Sequence, residues 1–380
     1  MDLSYSNEQE ALRNSANKFL AARPRKLPAR NPGVVEEGET WAAIAGMGWL
    51  GLMIDEEYDG LGLGHVDLAI VTEAFGRHLQ SIPYVPTVVL AGSLIKSLSS
   101  TVLKRLWLPQ IASGAARIGF AHLEGGTGGE RDAVSTVAVR QGDAWVLKGS
   151  KCHTLDGNAG EFLVTATTTV ATTKSAPTAV FLVSADTAGI SITPHILLDG
   201  STAAVVELSN VKVQDDSVIG LGERTEDALH VAINSAIIAN CGELTGIADA
   251  LLTATVAYIN TREQFGRAIS SNQVVRHRVV DMAIALEEAR AVTLRAAILM
   301  DTTDSAVAAS AVSAAKSKVG KAARYIAEQS VQLHGAIGVT EELGIGAYLK
   351  RVLALEPLFG SPSDHELNFA RRRFAAATNR

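Results

Sequence analysis

The chain has 380 residues, 47% of them hydrophobic and 19% charged, enough apolar material for two or three packed units and too much for a disordered chain. A formal charge of -6 at pH 7 argues against a nucleic-acid partner, and the basic run Ala370–Phe374 (ARRRF) reads as the solvated last turn of a helix. The two cysteines, Cys152 and Cys241, have no CxxC spacing, which leaves neither a disulfide framework nor a metal site and fits a cytoplasmic location.

The opening stretch, MDLSYSNEQEALRNSANKFL, is polar and helical, with the pattern of neither a signal peptide nor a transit peptide. Ser6 is placed as its N-cap. EGETWAAIAGMGWLGLMIDEEYDGLGLG reads as a helix ending in a glycine-rich loop, and VDLAIVTEAFGRHLQ and TVLKRLWLPQIASG as two more helices. Residues 1–116 are thus expected to form an N-terminal α-helical domain.

From 117 to 221 the sequence alternates and is rich in Val and Thr, the pattern of a middle β domain, a small barrel or sandwich. VSTVAVRQGDAWVLKG predicts two strands joined at Gly142–Asp143. KGSKCHTLDGNAG, which follows, reads as a loop leaving a strand. From 222 to 380 long Ala-rich helices return: ALHVAINSAIIANCGELTGIADALLTATVAYINT, SNQVVRHRVVDMAIALEEARAVTLRAAILM capped by Asn272 or Ser271, SAVAASAVSAAKSKVGKAARYIAEQSVQLHG stopped by Gly335, and SDHELNFARRRFAAA with Asp364 as N-cap. Helices of this length with short connections imply an antiparallel four-helix bundle. The fold class is mainly α with a central β domain. No run of about 18 apolar residues suggests a membrane span.

Particular residues now point further. NTREQFGRAISSNQ carries Arg262, Phe265, Gly266, Ile269 and Gln273, and QLHGAIG carries Gln332, His334, Gly335 and Gly338. With the loop GWLGLMIDEEYDGLGLG, they resemble the acyl-CoA dehydrogenase family of flavoproteins over nearly the whole chain. The resemblance implies FAD, an acyl-CoA thioester as substrate and removal of two hydrogens across the α,β bond. It implies a glutamate that takes the α-proton, with the flavin taking the β-hydride and an electron-transfer flavoprotein accepting the electrons. A desolvated carboxylate suits that proton, and hydrogen bonds to the thioester oxygen suit the developing enolate.

In that family, FAD lies between two subunits: one β domain cradles the ring, and a neighbour's bundle binds the pyrophosphate and adenine. By resemblance the bundle half is present here. Arg262 offers a planar fork of donors to a pyrophosphate, Phe265 packs near the adenine end, Gln273 and Gln332 donate and accept, and Gly335 and Gly338 let backbone come close. Ala336 departs from the family's second glycine.

The β half has lost its contacts. Where the family has Thr-Glu-Pro-x-x-Gly-Ser-Asp, this chain has LEGGTGGE; Leu123 replaces a hydroxyl and Gly129 a serine. His153 and Leu155 stand where the family has an aromatic residue and a threonine. The catalytic glutamate is absent from both family positions, which fall on Gly360 and Ala236, leaving Asp364 as a weak candidate, with Glu356 nearby.

The asymmetry implies one subunit of a hetero-oligomer, of α2β2 type with a related acyl-CoA dehydrogenase chain, like the actinobacterial dehydrogenases that act on steroid side-chain CoA esters. The alternatives are a self-sufficient homotetramer with a relocated base and a non-catalytic CoA-ester binding or scaffold protein.

Overall fold

The structure is a computed structural model. It describes residues 3–23, 35–125, 134–168, 178–340 and 343–378, those at 35–37 and 375–378 by backbone alone. Gly128 and Gly129, in the first flavin-like segment, lie outside the described residues.

The chain divides into two compact units. One comprises Met1–Pro32, Gly64–Ser81 and Ile237–Arg380; the other comprises Gly33–Leu63 and Ile82–Ala236. We call them the bundle unit and the sheet unit.

Helix α1 (Asn7–Ala21) opens the bundle unit. Ser6 caps it as expected: its side chain accepts from Gln9 N, while the Gln9 side chain accepts from Ser6 N, so two orphan donors are satisfied at once. In the sheet unit, α2 (Val35–Gly46) passes through short 3-10 turns at Trp49–Gly51 and Glu56–Tyr58. Gly60 is bare of necessity here, since a Cβ would lie 2.0 Å from the Ile54 carbonyl oxygen. Helix α3 (His65–Arg77) belongs to the bundle unit.

A π-turn at Val85–Ala91 then runs into α4 (Gly92–Leu98), which the sequence pattern does not announce. Residues Pro86–Ala91 are buried throughout, so no polar face gives the stretch a helical period. Helix α5 (Thr101–Ala112) follows, capped by Ser100.

Among the described residues the sheet has eight strands: β1 (Ile118–Ala121), β2 (Val137–Gln141), β3 (Ala144–Leu155), β4 (Glu161–Thr168), β5 (Thr178–Ser184), β6 (Ile190–Ile196), β7 (Thr202–Gln214) and β8 (Val218–Leu221). Their order is β6-β7-β3-β1-β4-β5-β8, with β2 pairing β3 and β4. Gln141 pairs Ala144, so Gly142 and Asp143 are the hairpin turn, with a positive φ of 64° at Gly142. The sheet's core holds Trp145, Phe162 and Phe181, with Trp145 set edge-on to Phe181 at 5.6 Å. Buried and exposed residues alternate along β7 from Val206 to Ser209 and again from Val211 to Gln214, as a one-sided sheet requires, with the alternation broken at Ala203–Ala204 and Ser209–Asn210.

Helix α6 (Glu223–Thr261) begins in the sheet unit and continues in the bundle unit. Among the described residues it alone is long and apolar enough to cross a membrane, but 89% of its apolar window is buried inside the protein, which marks a core helix. A two-stranded hairpin, β9 (Glu263–Gln264) with β10 (Arg267–Ala268), leads to α7 (Gln273–Thr302). Asn272 is the N-cap of α7, without a side-chain capping bond.

Thr303 and Asp304 turn the chain into α8 (Ser305–His334), and α7 and α8 pack together. Gly335 ends α8 as expected, at φ 63°. A short α9 (Ile345–Leu355) and the final α10 (Pro362–Thr378) both pack on α8. The bundle thus has its four long helices and one short helix more than the sequence pattern predicts.

Candidate functional site

Six residues singled out in the sequence share the bundle unit, and its tertiary contacts bring them to one end. The Tyr258 ring near the end of α6 stacks on His334 at the end of α8, 4.3 Å between centroids. The Tyr258 hydroxyl donates to the His334 carbonyl at 3.4 Å. Arg278 in α7 donates to Gln329 Oε1 in α8 at 3.1 Å. Between α6 and α7, Ile269 N donates to the Arg262 carbonyl at 2.9 Å, closing the base of the β9–β10 hairpin. The ends of α6 and α8, the start of α7 and the Gly335–Val339 3-10 turn therefore meet.

Arg262, Phe265, Gln273, Gln332 and Gly335 are all exposed at this end. The guanidinium of Arg262 meets no acceptor among the described residues. Phe265 is 102% exposed at the hairpin tip, with φ 53°. A phenyl ring left in water forgoes roughly 1.5–3 kcal/mol of burial, and left-handed φ at a bulky residue costs about 1–3 kcal/mol more. Neither feature serves the stability of the isolated chain. Gly338 is buried; a Cβ there would stand 2.9 Å from both the Val331 carbonyl oxygen and His334 Cβ. Ala336 has no positive φ, so its methyl group brings no backbone strain.

These groups fit a dinucleotide approached from outside: a forked cation for phosphate, an exposed aromatic face for a base, and close backbone at a glycine turn.

The two β-domain segments are also joined, within the sheet unit. The stretch from 148 onward is not a loop at first: β3 continues through Leu155, because β7 keeps pairing with it to Ala203. The register shifts between Lys151 and Thr154, a bulge that sets off Cys152 and His153. Cys152 N donates to the Leu123 carbonyl at 2.8 Å. Lys151, fully buried, donates to Glu124 Oε1 at 2.5 Å, to Thr165 Oγ1 at 3.1 Å and to the His122 carbonyl at 3.3 Å. Glu124 also accepts from Ser135 N (2.7 Å), from the Ser135 hydroxyl and from Thr136 N (3.0 Å).

His153 sits at the bulge with φ 50°, half-buried on a strand rather than in a loop. Its ring lies 6.4 Å from that of His195. Burial and the neighbouring His195 lower its pKa, against a smaller pull from Asp199, so the neutral imidazole is favoured. Asp156 is held by Arg117 through bonds of 2.7 and 3.1 Å. The Leu155 side chain has no hydrogen-bonding group.

The two positions to which the resemblance assigns the base offer only backbone at Gly360 and a methyl group at Ala236. Ala236 is fully buried on α6. Gly360 follows Phe359 in a turn where both have positive φ, 102° and 59°. Asp364 is not the N-cap of α10: Ser361 is, with Pro362 at N1, and Asp364 closes the capping box. Its Oδ2 accepts from Ser361 N at 3.0 Å and from Ser361 Oγ at 2.7 Å, and Asp364 N donates back to Ser361 Oγ at 3.2 Å. The Ser-Pro-Ser-Asp spacing carries that signal. Glu356 accepts from Arg324 at 2.9 Å.

A mostly α fold with a central sheet and an exposed cluster at one end of the bundle is the architecture that the resemblance to flavoprotein dehydrogenases predicts. Comparison with known proteins gives its family. Residues 6–115 match the N-terminal domain and residues 228–373 the C-terminal domain of acyl-CoA dehydrogenase. The chain belongs to the acyl-CoA dehydrogenase family, FAD-dependent oxidoreductases.

It is 29% identical over 352 residues to acyl-CoA dehydrogenase FadE12 of Mycobacterium tuberculosis, covering 90% of each chain. It is 27% identical to the probable acyl-CoA dehydrogenase YngJ of Bacillus subtilis, covering 98% of this chain and 99% of that one. A variant of the Tcur3481–Tcur3483 steroid ACAD superposes with a TM-score of 0.86 at 27% identity, over 98% of this chain and 99% of that chain.

Proposed function

We propose that this chain is one subunit of a hetero-oligomeric, FAD-dependent acyl-CoA dehydrogenase of α2β2 type. It completes the nucleotide half of the FAD site of a related chain, and that partner supplies the ring pocket and the catalytic base. The observation that carries this reading is the exposed cluster at the bundle end. Arg262 and Phe265 are held outward at a conformational and hydration cost that a binding partner would offset.

In the assembly, Arg262 pairs with the pyrophosphate, and Phe265 covers the adenine end. Gln273 and Gln332 hydrogen-bond the nucleotide, and the Gly335–Gly338 turn brings backbone close. FAD, when bound, supplies the acceptor for the hydride leaving the β-carbon of the acyl thioester. The chain's own part is to bind and orient.

The resemblance to a steroid ACAD at 27% identity supports bulky acyl-CoA esters, such as steroid side-chain thioesters, as substrates. An electron-transfer flavoprotein is the acceptor and the cytoplasm the compartment. The division at 116 and 221 into helical, β and bundle domains belongs to the same proposal. A relocated base at Asp364 has less support, because that carboxylate is engaged in its helix cap.

The test is purification with and without co-expression of the related chain. The chain alone is expected to be colourless and inactive; the co-expressed complex is expected to be yellow and to desaturate acyl-CoA. Arg262→Ala in the complex should release most of the flavin. Unchanged flavin content in that variant would remove the proposal's main support.

A further inference from the structure

Arg262 and the Gly335 turn hang from the ends of two different helices, and only side-chain packing fixes the gap between them. Arg262 lies just beyond α6, its N–H donating to the Tyr258 carbonyl at 2.8 Å. The Arg262 carbonyl accepts from Ile269 N at 2.9 Å, so a shift in the last turn of α6 would carry the β9–β10 hairpin with it. At the end of α8, Gly335 N donates to the carbonyls of Gln332 and Val331.

Tyr258 and His334 join these two ends. Their rings are stacked, tilted by 24° with centroids 4.3 Å apart, and the Tyr258 hydroxyl reaches the His334 carbonyl. Each ring is itself held. His334 is 4% exposed, and its Nδ1 lies 2.8 Å from the Ser330 carbonyl oxygen. A carbonyl only accepts, so Nδ1 carries the proton, and the ring cannot turn without losing that bond. Gly338 packs so closely that a Cβ there would stand 2.9 Å from His334 Cβ. Tyr258 is half-buried, and the residue after it, Ile259, is 4% exposed and anchors the last turn of α6 in the core.

We propose that Tyr258 is a positioning residue for the nucleotide: stacked on His334, it sets the separation and angle between the Arg262 guanidinium and the Gly335–Gly338 turn, so that both meet one dinucleotide. This rests on the reading of the bundle end as the nucleotide half of the FAD site, and it adds what keeps that half in register. Tyr258 touches no ligand in this role; it acts through Arg262. Packing for stability alone would require only apolar bulk, which a leucine supplies. Two flat rings restrain the helix ends in angle as well as distance, because aromatic pairs favour a defined geometry.

The experiment is titration with FAD of the co-expressed complex after its flavin has been stripped, with the melting midpoint of each variant as a check on the fold. Tyr258→Phe keeps the stack and should bind FAD within about twofold of the wild type. Tyr258→Leu keeps the bulk but loses the stack, and its dissociation constant should rise roughly tenfold. In an Arg262→Ala background the same Tyr258→Leu change should add less than about twofold, since its effect runs through the missing guanidinium. Where Tyr258→Leu fails to fold, His334→Leu removes the stack from the α8 side, and the same pattern is expected.

Wild-type affinity in Tyr258→Leu, or losses that simply multiply in the double variant, would overturn the inference and leave Tyr258 as packing. Wild-type affinity in Arg262→Ala alone would instead sink the nucleotide reading of the bundle end, and the positioning role with it.

Discussion

At the residue scale, the buried Lys151–Glu124 pair shows how a motif can outlive the contacts that the resemblance assigns to it. Burial pushes the Lys151 ammonium down to about 8, with Glu124 pulling the other way. Burial alone would raise Glu124, but bonds from Lys151, Ser135 and Thr136 and the lysine's charge bring it to about 2. A carboxyl held below its usual 4.5 contributes stability that is complete above that pH. Stability should therefore fall as pH drops from about 4.5 towards 2, which acid titration followed by circular dichroism would check. The lysine's depressed folded pKa is instead a charging penalty, relieved as pH rises above about 8, so in that window too stability rises with pH. Lys151→Met should cost about 3–5 kcal/mol in urea unfolding, because Glu124 would remain buried without its cation. Both residues are visible in the sequence as members of flavin-like segments. Their pairing is not, because it depends on the segment after β1 meeting the bulge in β3.

At the element scale, the legible parts are those with a local code. Ser6 and its capping box, the Gly142–Asp143 hairpin and the Gly335 stop are each decided by a few adjacent residues. Gly335→Ala should cost about 1–3 kcal/mol, since φ 63° with ψ -142° is glycine territory. Phe265→Ala should change the unfolding free energy by no more than about 0.5 kcal/mol, its side chain being surface, while lowering flavin retention in the complex. That divergence between stability and binding distinguishes a recognition residue from a packing one. The capping of α10 is a local code misread: Ser361→Ala should cost about 1 kcal/mol, and the same change should release Asp364 from its hydroxyl donor. The π-turn with α4 and the short α9 escaped the pattern. The first is buried throughout and has no polar face to give it a period; the second is a short helix directly after an irregular turn.

At the scale of the whole molecule, the segments that the resemblance assigns to the two halves of the family's cofactor site belong to different compact units of this chain, and the proposed function gives them different fates. The bundle end keeps an outward cation and aromatic ring. The sheet keeps the ladder and the buried ion pair but offers little to a ring system. A chain in this state should elute alone as a protein that takes up little flavin, and flavin absorbance should track the stoichiometry of the related chain in a titration. Flavin binding that saturates without the second chain would show that the sheet segment still holds the ring.

The sequence by itself determined the family and the order of helices, sheet and bundle, and it singled out the residues proposed to face the nucleotide, because hydrophobic period, caps and short motifs are written in neighbouring positions. Only the tertiary structure decided that Lys151 is neutralised by Glu124, that Tyr258 stacks on His334, and that Phe359 and Gly360 turn through positive φ. Those outcomes depend on which distant groups share a low-dielectric interior, and on the backbone angles that remain once the helices have packed.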